Sequence, residues 1–309
     1  MKQETVQALE TLKKQEHSVQ SFADCKNMEN KELDAQRVRG LLPQRDPWSH
    51  KGDHGKILLL CGSRGYTGAA ALAAMGALRC GAGLVFLGVP EEIYAIEAVK
   101  LTEPVVFPLP GEGGRLSGAA VPQILDRLGG MDAALVGPGL GQSPGTLAVV
   151  QAVLEAFPGP VVLDADGINV LSAHKDILRG RKAPTIITPH DGEFARLGGS
   201  IGTDRAASAA ALAEDLGCTV LLKGHETVIT DGRVCYRNRT GNPGMAVGGS
   251  GDVLAGMIVS LLGQHLPVLE AAACGAWLHG AAGDICAEAM GQYGMLPSDM
   301  LDALPRLLR

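Results

Sequence analysis

The chain has 309 residues, with 27 Lys and Arg against 33 Asp and Glu, a formal net charge of −6. A surface of that sign is not built to neutralise nucleic-acid phosphates or anionic lipid heads, so both partners are excluded. Glycine supplies 42 residues beside only 4% aromatics and 19% charged residues, roughly twice the ordinary glycine usage of about 7%. The glycines follow no collagen period and charge is modest, which leaves a globular chain that brings its backbone close to a ligand.

At about 150 residues per domain the length allows two domains, but α/β folds of this size also form one core. Residues 1–39 hold 14 charged residues and no glycine, and the composition then changes between Gly40 and Asp46. A charged extension, residues 1–37, is therefore expected ahead of a domain of residues 38–309. Val6, Leu9 and Leu12 share one face of a short helix that would be marginal alone. The opening MKQETVQALETLKKQEH lacks the apolar run of a secretion signal, and the longest apolar stretch, VLAGMIVSLLG at 253–263, is too short to cross a bilayer. The seven cysteines are odd in number and scattered, with no C-x-x-C pair, which fits reduced thiols in a cytoplasmic protein.

From Lys56 onward short apolar runs end in glycine, proline or acidic turns: KILLLC, LVFLGV, AALVG, PVVLDAD, TIITP and TVLLKG. Between them, residues 68–81, 144–157 and 204–217 have helical spacing. Alternation of this kind predicts a mostly parallel sheet covered on both faces. TVITDGRVCYRN places Asp231 and Gly232 between two strand-like runs, a tight hairpin expected at a sheet edge. The stretch AAACGAWLHGAAGD reads as a buried helix in which His279 carries no chemistry.

Ligands of open parallel sheets bind beyond the carboxyl ends of the strands. There the segment from Gly241 to Gly263 begins with a loop holding Gly241, Gly244, Gly248, Gly249 and Gly251 and runs into a helix starting near Gly251. Converging backbone N–H groups and a helix N-terminus form a nest for phosphate. Asp252 stands at its mouth, either as a helix cap or as a base that takes a proton from an attacking hydroxyl. Neither G-x-x-x-x-G-K-[ST] nor G-x-G-x-x-G occurs, so neither the P-loop nor the dinucleotide fingerprint explains the glycines.

GMAVGGSGDVLAG resembles the glycine-Asp signature of ribokinase-like kinases, and specifically of the ADP/ATP-dependent NAD(P)H-hydrate dehydratases. SHKGDHGKILLLCGSRGYTGAA, LRCGAGLV, VGPGLG, LDADGINVL, TPHDGEFARL and KGHETVITDG resemble that family's blocks in the same order, from about Val38 to the C-terminus. The resemblance implies a three-layer α/β/α sandwich with a mostly parallel central sheet. It also implies repair of the S form of hydrated NADH and NADPH: ADP or ATP phosphorylates the ring hydroxyl, and loss of phosphate restores the double bond.

By the same resemblance Asp252 is the base and contacts substrate, and Gly249, Ser250 and Gly251 form the anion hole. Lys223, Gly224, His225, Glu226 and Thr227, with Gly251, bind the nucleotide. Gly68, Ala69, Gly139, Gly141, Asp166 and His190 contact the substrate, and Glu193 orients Mg²⁺ through water. Asp164 and Asp166 have i, i+2 spacing, which on a strand puts both on one face unless Asp166 serves a turn or cap. The resemblance further implies a homotetramer. Family members often carry an epimerase domain upstream, and residues 1–37 are too few for one. A vitamin or sugar kinase of the same superfamily is the alternative activity.

Overall fold

The computed structural model describes residues 28–308. The helix face of Val6, Leu9 and Leu12 lies outside them. Twelve strands are described: β1 (Glu29–Glu32), β2 (Lys56–Leu60), β3 (Leu84–Pro90), β4 (Val105–Leu109), β5 (Gly111–Glu112), β6 (Arg115–Leu116), β7 (Ala133–Val136), β8 (Val161–Leu163), β9 (Thr185–Ile187), β10 (Thr219–Leu222), β11 (Val228–Thr230) and β12 (Val234–Arg237). Ten form one sheet in the order β1-β12-β11-β10-β9-β8-β7-β2-β3-β4, and β5 and β6 form a separate small hairpin. Only β11 runs against the other strands of the large sheet.

The uninterrupted apolar strands bury both faces, as a sheet covered twice requires. Ile57 and Leu59 join one core with the helices Thr67–Arg79, Ser250–Gly263 and Val268–Met290. Leu58 and Leu60 join the other, under the helices Val121–Leu128, Pro144–Ala156 and Arg205–Leu216. The result is the expected three-layer α/β/α sandwich. All six described cysteines are free and buried.

Two expectations change at the sheet's ends. The Asp231–Gly232 turn forms, with Asp231 Oδ1 accepting from the amides of Arg233 and Val234 at 2.9 and 2.8 Å. Its strands are not the edge, because β1 adds in parallel beyond β12. Nor does the described part of the expected 1–37 extension lie apart from the domain: β1 is in the sheet, and the helix Ala35–Leu41 that spans the expected boundary buries Val38 in the core. The sequence of β1 is ENKE, and charge without apolar alternation marks an edge strand as readily as a tail. At the opposite edge, β4 carries Pro108, tolerated there because an edge strand leaves one side unpaired.

The chain runs outward from β2 to β3 and β4, then returns to lay β7 on the other side of β2. That reversal opens a crevice above the carboxyl ends of β2 and β7. Two of the helices around it cross at backbone distance. A Cβ on Gly76 would meet the Val253 backbone, its Cα at 3.2 Å, and one on Gly256 would overlap the carbonyl of Ala73. Gly256→Ala is therefore expected to cost about 1–3 kcal/mol through overpacking and lower the thermal midpoint by several degrees. An unchanged calorimetric midpoint would contradict this packing.

Candidate active site

β8 ends at Leu163, and the next residue, Asp164, is only 2% exposed. Its Oδ1 accepts from Thr188 Oγ1 at 2.7 Å and from Lys223 Nζ at 2.8 Å, so the ends of three strands meet on one carboxylate. Lys223 also lies 3.8 Å from Glu193 Oε2. Burial pulls the Lys223 pKa down, but Asp164, Glu193 and Asp252 more than offset it, so the ammonium stays charged.

The helix Ser250–Gly263 begins directly above this pair: a Cβ on Gly251 would lie 3.5 Å from Lys223 Nζ and 3.9 Å from Asp164 Oδ2. Its N-cap is Gly249, at φ 99°, with no side-chain cap, so Asp252 is not the cap. Asp252 has no hydrogen-bond or ion-pair partner among the described residues. Burial, then the charge of Asp164, raises its carboxyl from 3.8 to about 7; Lys223 opposes the rise and Asp166 adds to it. An unbonded carboxyl that titrates near neutrality is suited to accept a proton.

The three expected anion-hole residues are together but not equivalent. The Ser250 amide donates to Val247 O at 3.3 Å, whereas the amides of Gly249 and Gly251 have no partner among the described residues. The Ser250 hydroxyl turns inward, 3.3 Å from His279 Nε2. His279 is buried as expected, and that burial, assisted by Lys223 and opposed by a hydrogen bond with the Ser250 backbone, lowers it to about 4. It is thus a neutral partner of the glycine loop, which helical spacing alone did not reveal. The same helix holds the loop's other end, where Asp284 accepts from Gly241 N and Asn242 Nδ2 at 2.9 and 3.0 Å.

Asp164 and Asp166 do not share a strand face. Ala165, at φ 48°, turns the chain between them, and Asp166 opens the short helix Asp166–Asn169. Backbone strain of this kind persists where surrounding contacts enforce it. One oxygen of Asp166 accepts from Gly141 N at 2.8 Å and fixes the loop after β7. On the facing loop, Ser63 Oγ donates to Gly139 O at 2.7 Å, and a Cβ on Gly139 would sit 2.8 Å from Ala69 Cβ. Gly68, by contrast, faces open space.

His190 and Glu193 form a capping box at the helix Asp191–Arg196. His190 Nδ1 accepts from Gly192 N at 3.0 Å, and Glu193 Oε2 accepts from His190 N at 2.9 Å. On the other side of the ring, His190 Nε2 lies 3.4 Å from Glu193 Oε1. In the loop after β10, Thr227 Oγ1 donates to Gly224 O at 3.0 Å and Arg205 donates to Lys223 O at 2.9 Å. His225 is exposed, and Glu226 is held by Arg237 at 2.9 Å. Among the described residues no three His, Cys, Asp or Glu side chains converge as a metal site.

The class is ribokinase-like. A ribokinase-like superfamily protein from Enterococcus faecalis superposes with a TM-score of 0.81, over 94% of this chain and 97% of that one, at 27% identity. Within that class the chain belongs to the NAD(P)H-hydrate dehydratase family, whose model matches residues 57–306. It is 32% identical to the ADP/ATP-dependent NAD(P)H-hydrate dehydratase of Bacillus subtilis, solved with ATP/Mg²⁺, with a TM-score of 0.76 over 92% of this chain and 98% of that one. The bifunctional NAD(P)H-hydrate repair enzyme Nnr of Moorella thermoacetica is 46% identical over 90% of this chain and 53% of its own length. For the Nnr of Methanopyrus kandleri the figures are 39%, 86% and 52%. The chain thus spans about half the length of these curated relatives.

A carboxyl raised from 3.8 to about 7 binds its proton more tightly in the folded than in the unfolded chain. Its contribution to stability therefore falls as pH rises through that interval, and the full penalty remains above it. Asp252→Asn removes the titration. Its thermal midpoint relative to the unaltered protein is expected to improve between pH ~4.5 and pH ~8; a constant difference across that range would contradict the assignment.

Proposed function

We propose that this protein uses ADP or ATP to dehydrate the S form of hydrated NADH and NADPH, returning NADH and NADPH. The observation that carries this reading is the free, near-neutral carboxyl of Asp252 beside two unengaged amides and above Lys223. Asp252 takes the proton of the ring hydroxyl as its oxygen attacks the terminal phosphoryl group of the nucleotide. The amides of Gly249 and Gly251 stabilise the charge that builds on that group, aided by the helix N-terminus. Hydroxide, a poor leaving group, is thereby converted to phosphate. Cleavage of the carbon–oxygen bond, with loss of a proton from the adjacent ring carbon, restores the double bond.

Lys223 serves two ends: its charge faces the nucleotide phosphates, and it keeps Asp252 from rising further. Substrate packs against Gly139 and Ala69, where small residues allow close approach, with the exposed His190 ring at the rim. Mg²⁺ suits a site of this composition when held mainly by nucleotide phosphates and water. Glu193 is buried and committed to its capping box, so it reaches such an ion only through water. The match to the B. subtilis dehydratase, nearly complete along both chains, supports both nucleotide use and the substrate.

The test follows NADH absorbance reappearing from its hydrate, with ADP and ATP supplied separately. The rate constant kcat/KM is expected to rise with pH through about 7 as Asp252 loses its proton. Asp252→Asn should retain the fold and lose turnover by orders of magnitude. Near-normal turnover in that variant, or a stable phosphorylated alcohol without NADH, would overturn the reading, the latter in favour of a vitamin or sugar kinase.

A further inference from the structure

We infer that Arg64 and Arg115 form a binding site for a phosphate group of the dinucleotide substrate; this rests on the function proposed above. Arg64 lies in the loop that leaves β2, where the Gly62 amide donates to Pro138 O at 2.8 Å across the crevice. Its own amide donates to Gly114 O at 2.8 Å, and its stem runs along that glycine, so that a Cβ there would meet Arg64 Nε at 3.2 Å. Arg115 is the next residue of the same β5–β6 hairpin, and it lies over Gly141: a Cβ on Gly141 would stand 2.9 Å from Arg115 Cδ and 3.5 Å from its Cζ. The β5–β6 hairpin thus carries Arg64 along Gly114 and Arg115 over the glycine loop that Asp166 fixes.

Both side chains are exposed, and neither has an ion-pair or hydrogen-bond partner among the described residues. The floor of the crevice is acidic, with Asp164, Asp166, Glu193 and Asp252, and its lysine is already bonded to Asp164. A dinucleotide carrying a charged pyrophosphate meets repulsion there unless cations stand at the entrance. With its ring at Asp252 and its middle against Gly139, such a substrate leaves the crevice past Gly141, where Arg115 lies. Planar guanidinium groups match phosphate oxygens two at a time.

The phosphate has two possible origins, the bridging pyrophosphate of both hydrates or the 2′-phosphate of hydrated NADPH, and the experiment separates them. Arg64→Gln, Arg115→Gln and Arg115→Lys are assayed on both hydrates at saturating nucleotide, with melting temperatures as a check of folding. Each Gln variant is expected to raise KM about tenfold or more with little change in kcat, and Arg115→Lys to recover part of the loss. A rise for both hydrates assigns the pyrophosphate, and a rise for hydrated NADPH alone assigns the 2′-phosphate. Unchanged KM for both, or a loss confined to kcat, overturns the site. Calorimetric titration with NADPH itself keeps the two readings apart. If the unaltered protein turned over neither hydrate, the proposed activity would fail, while weaker NADPH binding in the Gln variants would still uphold the site and equal binding would overturn it.

Discussion

Lys223 and Asp164 meet at 2.8 Å where β10 and β8 end, and the rest of the site is arranged around that pair. Removing two charges from water is costly, and the cost is recovered only when each is fully bonded. Asp164 is satisfied by Thr188 as well as Lys223, and Lys223 is approached by Glu193 and influenced by Asp252. Because the lysine directly follows β10 and is bonded to Asp164, its charge has a fixed position beneath the start of the helix that carries Asp252. The same fixed charge limits how far burial and neighbouring carboxylates drive that acid upward.

Glycine is abundant for reasons that differ along the chain. Gly76 and Gly256 let two helices meet at backbone contact. Gly249 supplies the left-handed turn that starts that helix, leaving amides outward. Gly280 and Gly283 allow the loop before it to lie against the helix Val268–Met290, where a Cβ on either would run into Thr240 or Met245. Packing and chemistry thus use the same residue type for the same physical property, the absence of a side chain.

The centre of the sheet and the glycine loop at the start of the Ser250–Gly263 helix were legible in the sequence, because buried strands read as apolar runs and the glycine-Asp segment is dense with signal. The edges were not. β1 is made of charged and polar residues, and β4 contains proline; both are adaptations to an unpaired side that erase the usual strand pattern. Asp252 stood out by its place beside the glycines. The separation of Asp164 from Asp166 depends on a positive φ at Ala165, a residue type that seldom adopts one, and nothing in the local sequence announces it. His279 was legible as a buried residue, but its contact with Ser250 and that of Asp284 with Gly241 were not, because the partners lie 29 and 43 positions away. Arg64 and Arg115 were hidden likewise, since only the fold brings the β5–β6 hairpin over the loop after β7.

The parallel pairing of β1 with β12 also fixes a direction of travel. Both strands point the same way as the sheet's central members, so the polypeptide enters β1 on the side opposite the crevice. The first described strand of the sheet thus begins at the end remote from Asp164, Lys223 and the crevice above them.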